Sequence, residues 1–489
     1  MITKTLLCFP LVMIITVSVP AQNGTVEYLP GSTQKISQLI GDYDHHLQIS
    51  TLNQTESRYG LISTDLGVPF HHNGKTYILF GDSWGTPEGD AIAYTTDSNP
   101  EDGLELTCIT DGEGIYKPVT IPGVSQGAFE VPVEGISLGG DMYVYHSTDN
   151  SETVVMGRSV LAVSRDDGET FSYLYDVSES HFINVSVVSV DLAEWPGFPE
   201  DTGNGLVLFG SGAYRQSDVR LAYQPADQIE APQSIRFLTG VDQNNIPLWS
   251  EEEDDATPLF SQSCVGEFSV TYNRFLQKWL MLYNCDAPRG INFRTADDPW
   301  GPWSEAQLLF DPWEDNGYCH FMHADWQFSQ CDSVHDPGRQ NEWGGEYGPY
   351  QFEELATGND SFTTIYFTLS TWNPYTVILM KSTLRLKDEA TSIPHRNVTS
   401  PGKVFLKQNV PNPFSASTII NYSLLELTHI SLKIYNQKGQ YVATLTEGNQ
   451  PGGEHRVEWN TEGLPGGLYY CRLQTDHVAR SIKLVVQKK

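Results

Sequence analysis

The stretch KTYILFGDSWGTPEGDAIAYTTD (75–97) contains two runs of β-forming residues, KTYILF and AIAYTT, on either side of a turn rich in Gly, Asp, Ser and Pro. Aromatic and branched aliphatic residues favour extended backbone, whereas Gly, Asp and Pro interrupt it. The stretch therefore predicts two consecutive strands of one sheet.

The same pattern, two strands that follow an inner strand, occurs five times. The second strands are KTYILFGDSWG (75–85), DMYVYHSTDN (141–150), GLVLFGSGAYRQ (205–216), KWLMLYNCDAPR (278–289) and TTIYFTLSTWNP (363–374). The third strands are AIAYTTD (91–97), VLAVSRD (160–166), VRLAYQP (219–225), INFRTAD (291–297) and VILMKST (377–383). Repeated strand units with almost no helical periodicity are typical of blades around an axis. We therefore predict an all-β fold with a five-bladed β-propeller over residues 56–386; one long β-sandwich is the alternative.

Residues 164–171, SRDDGETF, fit the pattern S-x-D-x-G-x-T-F of the Asp-box hairpin found in sialidase-like propellers. The Asp and the Gly suit a tight turn, and the Phe suits packing between sheets. This hairpin is a structural element, so it supports the fold and says nothing about the chemistry.

The composition changes after Leu386. Residues 387–402, KDEATSIPHRNVTSPG, are polar and contain Pro, Ser and Thr, which is typical of a linker. Beyond them, alternating strands and hairpin-type Gly turns predict a small Ig-like β-sandwich over residues 403–489.

The C-terminal segment resembles the sorting domain of the type IX secretion system of Bacteroidetes. The matching motifs are QNVPNPF (408–414), IYNQKGQYV (434–442) and GGLYYCRL (466–473), followed by a basic end at Lys488 and Lys489. The resemblance implies that the secretion machinery is a partner, that the tail is removed, and that the protein is released or attached to the cell surface. A carbohydrate-binding module is the alternative.

The N-terminal stretch has Lys4 near its start, an apolar run over 6–19 and small residues around Ala21. This predicts a secretory signal peptide of residues 1–21, followed by a lead-in of residues 22–55. The apolar run is too short to span a membrane comfortably, and no other segment is long or apolar enough, so we expect no membrane span in the mature protein.

The cysteines that remain after cleavage can be oxidised in an exported protein. Their spacings match no zinc signature, so we predict no metal site and no cofactor. Cys264 and Cys285 flank a hairpin and are predicted to form a disulfide, with Cys319 and Cys331 as a second pair.

The formal net charge of the chain is −32, and it is unevenly distributed. Residues 403–489 carry ten Lys and Arg against six Asp and Glu, or +4, which leaves −36 for the residues before them. A surface so negative repels phosphate polymers, so nucleic acids and anionic membranes are poor partners. A neutral or cationic substrate is favoured.

Gly81, Ser83 and Gly85 spell G-x-S-x-G, the pattern of a hydrolase nucleophile elbow. An elbow needs a strand, a strained turn and then a helix. A Pro/Gly turn and another strand follow here, so we interpret Ser83 as a turn residue.

Asp82 lies where the second strand of the first unit leaves the sheet, and Asp65 lies on the preceding innermost strand. Two carboxylates on neighbouring strands can face one cavity. Glycoside hydrolysis needs such a pair, because an acid must protonate the leaving oxygen while a base or nucleophile acts on the other face of the sugar. The alternative for Asp82 is a structural turn carboxylate.

Glu134, Glu267, His323 and Trp84 are predicted to bind the substrate. Carboxylates on several inner strands indicate a polar funnel, because each is costly to bury without partners. His323 could tune an Asp or bind a sugar hydroxyl, and Trp84 could stack on a sugar ring. The alternative for each is a satisfied structural group or ordinary aromatic packing.

Several motifs resemble family 4185 of domains of unknown function, whose members are placed in glycoside hydrolase family 183, the endo-D-arabinanases. They are TDLGVPF (64–70), NGKTYILFGDSWG (73–85), DAIAYTTD (90–97), VGEFSVTYNRFLQKWLMLYN (265–284), FRTADDPWGPW (293–303) and LSTWNPYTVILM (369–380). The resemblance runs from about residue 60 to 386. It implies a five-bladed propeller that cuts α-linked D-arabinofuranose chains with Asp65 and Asp82 as the catalytic pair.

Two features depart from that family. Residues 329–361 look like an insertion near the pocket, and acidic blocks such as EEEDD (251–255) are unusual. Both leave the substrate and the cleavage mode open.

The sequence therefore predicts a secreted or surface-attached glycoside hydrolase that acts on a polysaccharide, endo-acting on D-arabinan. A non-catalytic glycan-binding propeller is one alternative. A sialidase-like exo-glycosidase is another, but it would need an arginine cluster, and Arg is sparse near the predicted inner strands.

Overall fold

The computed structural model describes residues 24–151, 155–213, 215–286, 288–324, 333–388, 404–424, 427–436, 440–461, 463–475 and 479–487. The chain divides into two compact units, residues 1–389 and 390–489. The predicted signal peptide and residues 389–402 of the predicted linker lie outside the described residues.

The first unit begins with short elements. They are β1 (Gly24–Tyr28), β2 (Gln34–Gln38), β3 (Tyr43–Asp44), β4 (Ile49–Ser50) and helix α1 (Thr55–Tyr59). Strands β3 and β4 pair with each other. Among the described residues, no helix is long and apolar enough to cross a membrane.

Four antiparallel sheets follow in chain order. The first contains β5 (Leu61–His72), β6 (Lys75–Gly85), β7 (Ala91–Thr95) and β8 (Thr107–Cys108). The second contains β9 (Pro132–Leu138), β10 (Asp141–Thr148), β11 (Arg158–Ser164) and β12 (Ser172–Ser178). The third contains β13 (Asn184–Asp191), β14 (Asn204–Ser211), β15 (Arg220–Pro225), β16 (Arg236–Val241) and β17 (Pro247–Ser250). The fourth contains β18 (Phe268–Asn273), β19 (Lys278–Asp286), β20 (Arg289–Ala296) and β21 (Gln307–Phe310). Short 3-10 turns occur at Leu192–Glu194, Ala226–Gln228, Pro232–Ser234, Glu253–Asp255 and Glu353–Leu355.

The fifth sheet joins the two ends of the first unit. It contains β22 (Glu346–Tyr347), β23 (Thr357–Asn359), β24 (Phe362–Thr371) and β25 (Thr376–Asp388), and both β1 and β2 pair with β25. Residues of the predicted lead-in therefore complete the last sheet. Within the segment expected to be an insertion (329–361), residues 346–347 form β22 and pair with β24 of this sheet, and residues 329–332 lie outside the described residues.

Five hydrophobic clusters hold the sheets together, and each cluster lies between two consecutive sheets. Ile78 and Phe80 of β6 pack in the cluster shared with the fifth sheet, whereas Tyr77 and Leu79 pack in the cluster shared with the second sheet. Successive side chains of a strand point to opposite faces, so a strand buried on both faces reads as a continuous apolar run. Because a cluster also joins the fifth sheet to the first, the five sheets form a closed ring.

The inner strands of the ring surround a cavity of about 250 Å³. Its wall includes Phe70 of β5, Glu134 of β9, Ser186 of β13 and Ser269 of β18, together with Gln351 beside β22. The ring therefore has a partly polar axis.

The hairpin between β11 and β12 contains the predicted Asp box. Asp166 accepts hydrogen bonds from the Thr170 backbone N–H (2.8 Å) and the Thr170 hydroxyl (2.6 Å), and Phe171 is buried between sheets. The box thus has the structural role that the sequence predicts.

The second unit contains two antiparallel sheets that share one hydrophobic core. Its strands are β26 (Val404–Leu406), β27 (Ser417–Leu424), β28 (Thr428–Asn436), β29 (Tyr441–Gln450), β30 (Gly453–Asn460), β31 (Gly467–Gln474) and β32 (Ala479–Val486).

The predicted disulfide between Cys264 and Cys285 is present, with a Cα–Cα distance of 5.3 Å. Cys108 and Cys471 are buried free thiols. Cys331, of the second predicted pair, lies outside the described residues.

Candidate active site

The first sheet carries both candidate catalytic carboxylates. Asp65 on β5 lies opposite Gly81 on β6, and Asp82 is the next residue of β6. A Cβ atom at position 81 would lie 2.6 Å from Val131 Cγ1 and 3.0 Å from Asp65 Oδ1. Only glycine therefore lets Asp65 and Val131 approach β6 so closely.

The backbone of this region is irregular. The pairing of β5 with β6 shifts register on both sides of Asp65, and Asp82 has φ 44°. A left-handed conformation is uncommon for a residue other than glycine, and such residues cluster at functional sites.

Asp65, Asp82 and Glu267 line one cavity. Asn150 and Asn184 add amide groups to its wall, and the remaining lining is mostly apolar. The structure therefore brings together three of the predicted site residues, two from the first sheet and one, Glu267, that immediately precedes β18 of the fourth sheet.

Asp65 is almost completely buried, and its Oδ2 accepts a hydrogen bond of 2.8 Å from the Tyr347 hydroxyl. Burial raises the pKa of Asp65 well above its usual range, and the negative charge of Asp82 raises it further. The hydrogen bonds from Tyr347 and Tyr375 oppose this rise of the pKa. The surroundings of Asp65 thus favour the protonated form of its carboxyl group.

Asp82 is partly buried, and the Phe129 backbone N–H donates to both of its carboxylate oxygens, at 3.0 and 2.9 Å. Burial raises the pKa of Asp82 to about 6, with a further contribution from the negative charge of Asp90. Two neighbouring carboxyls with raised pKa values can serve as an acid and a base.

Glu267 is buried, and its Oε2 lies 3.5 Å from Nη2 of Arg215. Its negative charge also raises the pKa of Asp65. Glu267 therefore contributes to the electrostatics of the cavity as well as to its wall.

Trp84 lies in a groove that adjoins the cavity, and Asp82 and Phe129 line both. The Trp84 side chain is 48% exposed, and its ring lies 5.4 Å from the ring of Tyr375, which in turn lies 5.6 Å from that of Trp372. The groove thus presents an aromatic surface beside Asp82, as stacking on a sugar requires.

Two predicted substrate-binding residues lie elsewhere. Glu134 lines the axial cavity, where it accepts hydrogen bonds from Gly135 N, Ser186 Oγ and Val187 N, so it is a satisfied group on the ring axis. His323 is fully buried, with Nε2 2.7 Å from the carbonyl oxygen of Gln340, and it lines neither the cavity nor the groove. Neither lines the cavity or the groove of the candidate site.

Ser83 is buried, and its hydroxyl lies 2.7 Å from the Thr64 hydroxyl. Strand β6 continues to Gly85 and no helix follows before β7, so the structure has no nucleophile elbow here. Of the polar residues in the LFGDSWG stretch, Asp82 is thus the one that lines the cavity.

Tyr347 and Tyr375 were not predicted from the sequence. Tyr347 belongs to β22 of the fifth sheet and Tyr375 immediately precedes β25 of that sheet. Both interact with Asp65. One signal was available for Tyr347, since it lies in EWGGEYGPYQFEE (342–354), which belongs to the segment expected near the pocket.

Within the part of the chain that the structure describes, no group of three or more His, Cys, Asp or Glu side chains is arranged to hold a metal ion.

Two family profiles match the chain. The domain of unknown function DUF4185 matches residues 50–381. The secretion system C-terminal sorting domain matches residues 410–487, which indicates type IX secretion to the cell surface or the surroundings. No curated protein is significantly similar to the chain.

Several solved structures are similar to the chain at low identity. The GH43_1 enzyme from Xanthomonas citri complexed with xylotriose is 11% identical, covers 69% of this chain and 90% of its own, and has a TM-score of 0.36. The GH62 alpha-L-arabinofuranosidase catalytic domain of Coprinopsis cinerea is 12% identical, with 74% and 99% covered and a TM-score of 0.36. The alpha-L-arabinofuranosidase of Podospora anserina in complex with cellotriose is 12% identical, with 73% and 98% covered and a TM-score of 0.37.

Proposed function

The chain belongs to the family described as domain of unknown function DUF4185, and on that premise we propose that it is a secreted glycoside hydrolase. The five sheets of its first unit are the blades of a five-bladed β-propeller, and the second unit is an Ig-like sandwich that serves export. Asp65 and Asp82 are the catalytic pair.

One observation carries this proposal. Two carboxyl groups from adjacent strands line one cavity, and the pKa of each is raised, well above the usual range for Asp65 and to about 6 for Asp82. A structural ion-pair carboxylate would have a lowered pKa. Hydrolysis of a glycosidic bond uses one carboxyl in its protonated form and another in its ionised form.

The two environments suggest the role of each residue. Asp65 has the pKa that is well above the usual range, so it is the general acid that protonates the leaving oxygen. Asp82 ionises near pH 6 and is the base that activates water on the other face of the sugar. We expect inversion of the anomeric configuration, with a water molecule between the two carboxyls.

The substrate is an arabinan of D-arabinofuranose, as the motifs shared with endo-D-arabinanases imply. The groove with Trp84, Trp372 and Tyr375 adjoins the cavity at Asp82, so sugar rings can bind on two sides of the reacting bond. Such an arrangement suits cleavage within a chain.

The proposal is tested by the release of reducing ends from D-arabinan, arabinogalactan and para-nitrophenyl furanosides. Asp65→Asn and Asp82→Asn should each reduce turnover on D-arabinan by about 10³-fold or more with little loss of folded structure. Asp315→Asn is the matched control, because burial also raises the pKa of Asp315 to about 6 but Asp315 lines neither the cavity nor the groove. Near-normal activity of both site variants would refute the assignment.

The Asp box does not support a sialidase-type activity, because its role is structural. Asp166 of the Asp box holds its own hairpin through Thr170, as described above, and it lines neither cavity nor groove. A glycan-binding role without catalysis would not require two carboxyls with raised pKa in one cavity.

A further inference from the structure

A buried pair of side chains, Asp90 and His146, lies against the backbone of Asp82. Asp90 immediately precedes β7 in the first sheet, and His146 belongs to β10 of the second sheet. His146 Nε2 lies 2.8 Å from Asp90 Oδ2, and the side chains are 0% and 4% exposed. The pair therefore joins two sheets and is almost completely buried, with Asp90 at the wall of the groove.

Both carboxylate oxygens of Asp90 have a defined partner. Oδ2 faces His146, and Oδ1 accepts a hydrogen bond of 3.0 Å from the backbone N–H of Asp82. The other ring nitrogen of His146, Nδ1, lies 2.7 Å from the carbonyl oxygen of Ser147. Since a carbonyl can only accept, Nδ1 carries a proton and the orientation of the imidazole ring is fixed.

These contacts hold Asp82 at two points. Its backbone N–H is bound by Asp90, and its carboxylate is bound by the backbone N–H of Phe129. The left-handed conformation of Asp82 is costly by itself and persists only where the surroundings enforce it. Asp90, which His146 holds in place, provides one of the contacts that enforce this conformation.

We propose that Asp90 and His146 are positioning residues of the candidate site, which fix the left-handed backbone of Asp82 and act on its carboxyl with charges of opposite sign. The roles in hydrolysis rest on the proposed function; the effect on Asp82 itself does not.

The electrostatics of the pair support this role. The negative charge of Asp90 raises the pKa of Asp82, second only to burial, whereas His146 lowers it. Other ionisable groups near Asp82 are Asp65 on β5, Glu130 in the loop before β9, and Tyr375 before β25. Glu267 lines the same cavity as Asp82, and Glu88 lines the same groove.

The two partners predict shifts of opposite direction. In Asp90→Asn, the amide oxygen can still accept from Asp82 N–H, but the negative charge is lost, so the pKa of Asp82 should fall. In His146→Gln, the side-chain amide can still donate to Asp90, but the positive charge is lost, so the pKa of Asp82 should rise. The acidic limb of the kcat/KM profile should therefore move down by about one pH unit in the first variant and up in the second.

The matched controls are His72→Gln and Asp167→Asn. His72 is also a buried histidine that joins the first two sheets, with Nε2 2.8 Å from Asp167 Oδ1, but neither residue acts on Asp82. If the loss of any buried His–Asp contact were enough to change the pH profile, the variants of both pairs would change it in the same way. The proposal requires that the profile shifts only for the Asp90 and His146 variants.

A second readout needs no substrate. The difference in melting temperature between the chain and its Asp82→Asn variant, followed against pH, reports the ionisation of Asp82. We expect its midpoint to move to lower pH in the Asp90→Asn background and to higher pH in the His146→Gln background.

Unchanged midpoints in both backgrounds, or shifts of the same direction, would overturn the proposal. If the midpoints move as expected but the protein hydrolyses no glycan, the action of Asp90 and His146 on Asp82 is supported and the proposed function is refuted. Where one background does not fold, the direction of the shift in the other decides.

Discussion

The Tyr347 hydroxyl donates a hydrogen bond of 2.8 Å to Oδ2 of Asp65, although 282 positions separate the two residues in the chain. Tyr347 belongs to β22, the inner strand of the fifth sheet, and Asp65 belongs to β5 of the first sheet. The bond therefore crosses the junction where the ring of sheets closes. The environment of the proposed acid depends on that closure.

Tyr347→Phe should extend activity to higher pH. The hydroxyl stabilises the charged form of Asp65 and so lowers its pKa. Without the hydroxyl the pKa of Asp65 rises further, so the acid keeps its proton up to a higher pH. We expect the basic limb of the kcat/KM profile to move up by about one pH unit, because a hydrogen bond to a charged group contributes roughly 1.5–3 kcal/mol. Tyr145→Phe, a buried tyrosine of the second sheet, is the control. A basic limb that stays in place or moves down would contradict the assignment of Asp65 as the acid.

The carboxylate pair could be predicted from the sequence, but its tyrosine partner could not. Asp65 and Asp82 are close in the chain and lie on adjacent strands, so their convergence follows from hairpin geometry. Tyr347 lies on a strand of two residues, too short for an alternating pattern to reveal. Only the closure of the ring brings it to Asp65.

Glu134 shows a second limit of the sequence. It was expected in the pocket because it lies on an inner strand, as Asp65 does. Successive residues of a strand face opposite sides, and the pairing of β9 with β10 shifts register beside Tyr145, the partner of Glu134. A shift of one residue decides which side a carboxylate faces, and the sequence does not show such a shift.

Asp82→Asn should stabilise the protein at neutral pH. The pKa of Asp82 is raised from its usual value to about 6, so the folded chain binds this proton more tightly than the unfolded chain. Wild-type stability therefore falls as pH rises from about 4 to about 6, and the neutral amide avoids this loss. We expect a gain on the order of 1–2 kcal/mol at pH 7.5 and none at pH 4, measured by chemical denaturation.

Asp315→Asn should show the same pH-dependent gain, because burial also raises the pKa of Asp315 to about 6. Only Asp82→Asn should lose activity as well. A stability difference that is the same at both pH values would show that Asp82 ionises normally.

Loss of the Cys264–Cys285 disulfide should destabilise the first unit. The bridge closes a loop with a sequence separation of 21, for which the chain-entropy estimate is about 3 kcal/mol. The double variant Cys264→Ser, Cys285→Ser should therefore melt several degrees lower, and reductant should lower the melting temperature of the wild type more than that of the variant. Peptide mapping without reductant that finds both cysteines as free thiols would contradict the bridge.

Residues 22–388 should fold and keep full activity without the tail. The hydrophobic clusters of the first unit and those of the second are each drawn from their own residues, and all lining residues of the cavity and groove precede residue 389. Removal of residues 24–38 as well should be strongly destabilising, because β1 and β2 pair with β25. A soluble but inactive chain of residues 22–388 would assign the tail to the working enzyme.

The leaving group of the substrate should separate the acid from the base. An aryl furanoside with a good leaving group needs little protonation, so Asp65→Asn should recover much of its activity on it relative to D-arabinan. Asp82→Asn lacks the base that activates water, so it should stay impaired on both substrates. Turnover of each variant on the two substrates gives the measurement, with Asp315→Asn as the unaffected control.

The opposite pattern, rescue of Asp82→Asn and not of Asp65→Asn, would exchange the two roles. That result would mean that the pKa of Asp82, about 6 in the free protein, rises further when a sugar displaces water from the cavity. Rescue of neither variant would direct attention to Glu267, the third carboxylate of the cavity, as the acid. Glu267→Gln, assayed on the same pair of substrates, would then show the rescue that Asp65→Asn lacks, because only the variant of the true acid is relieved by a good leaving group.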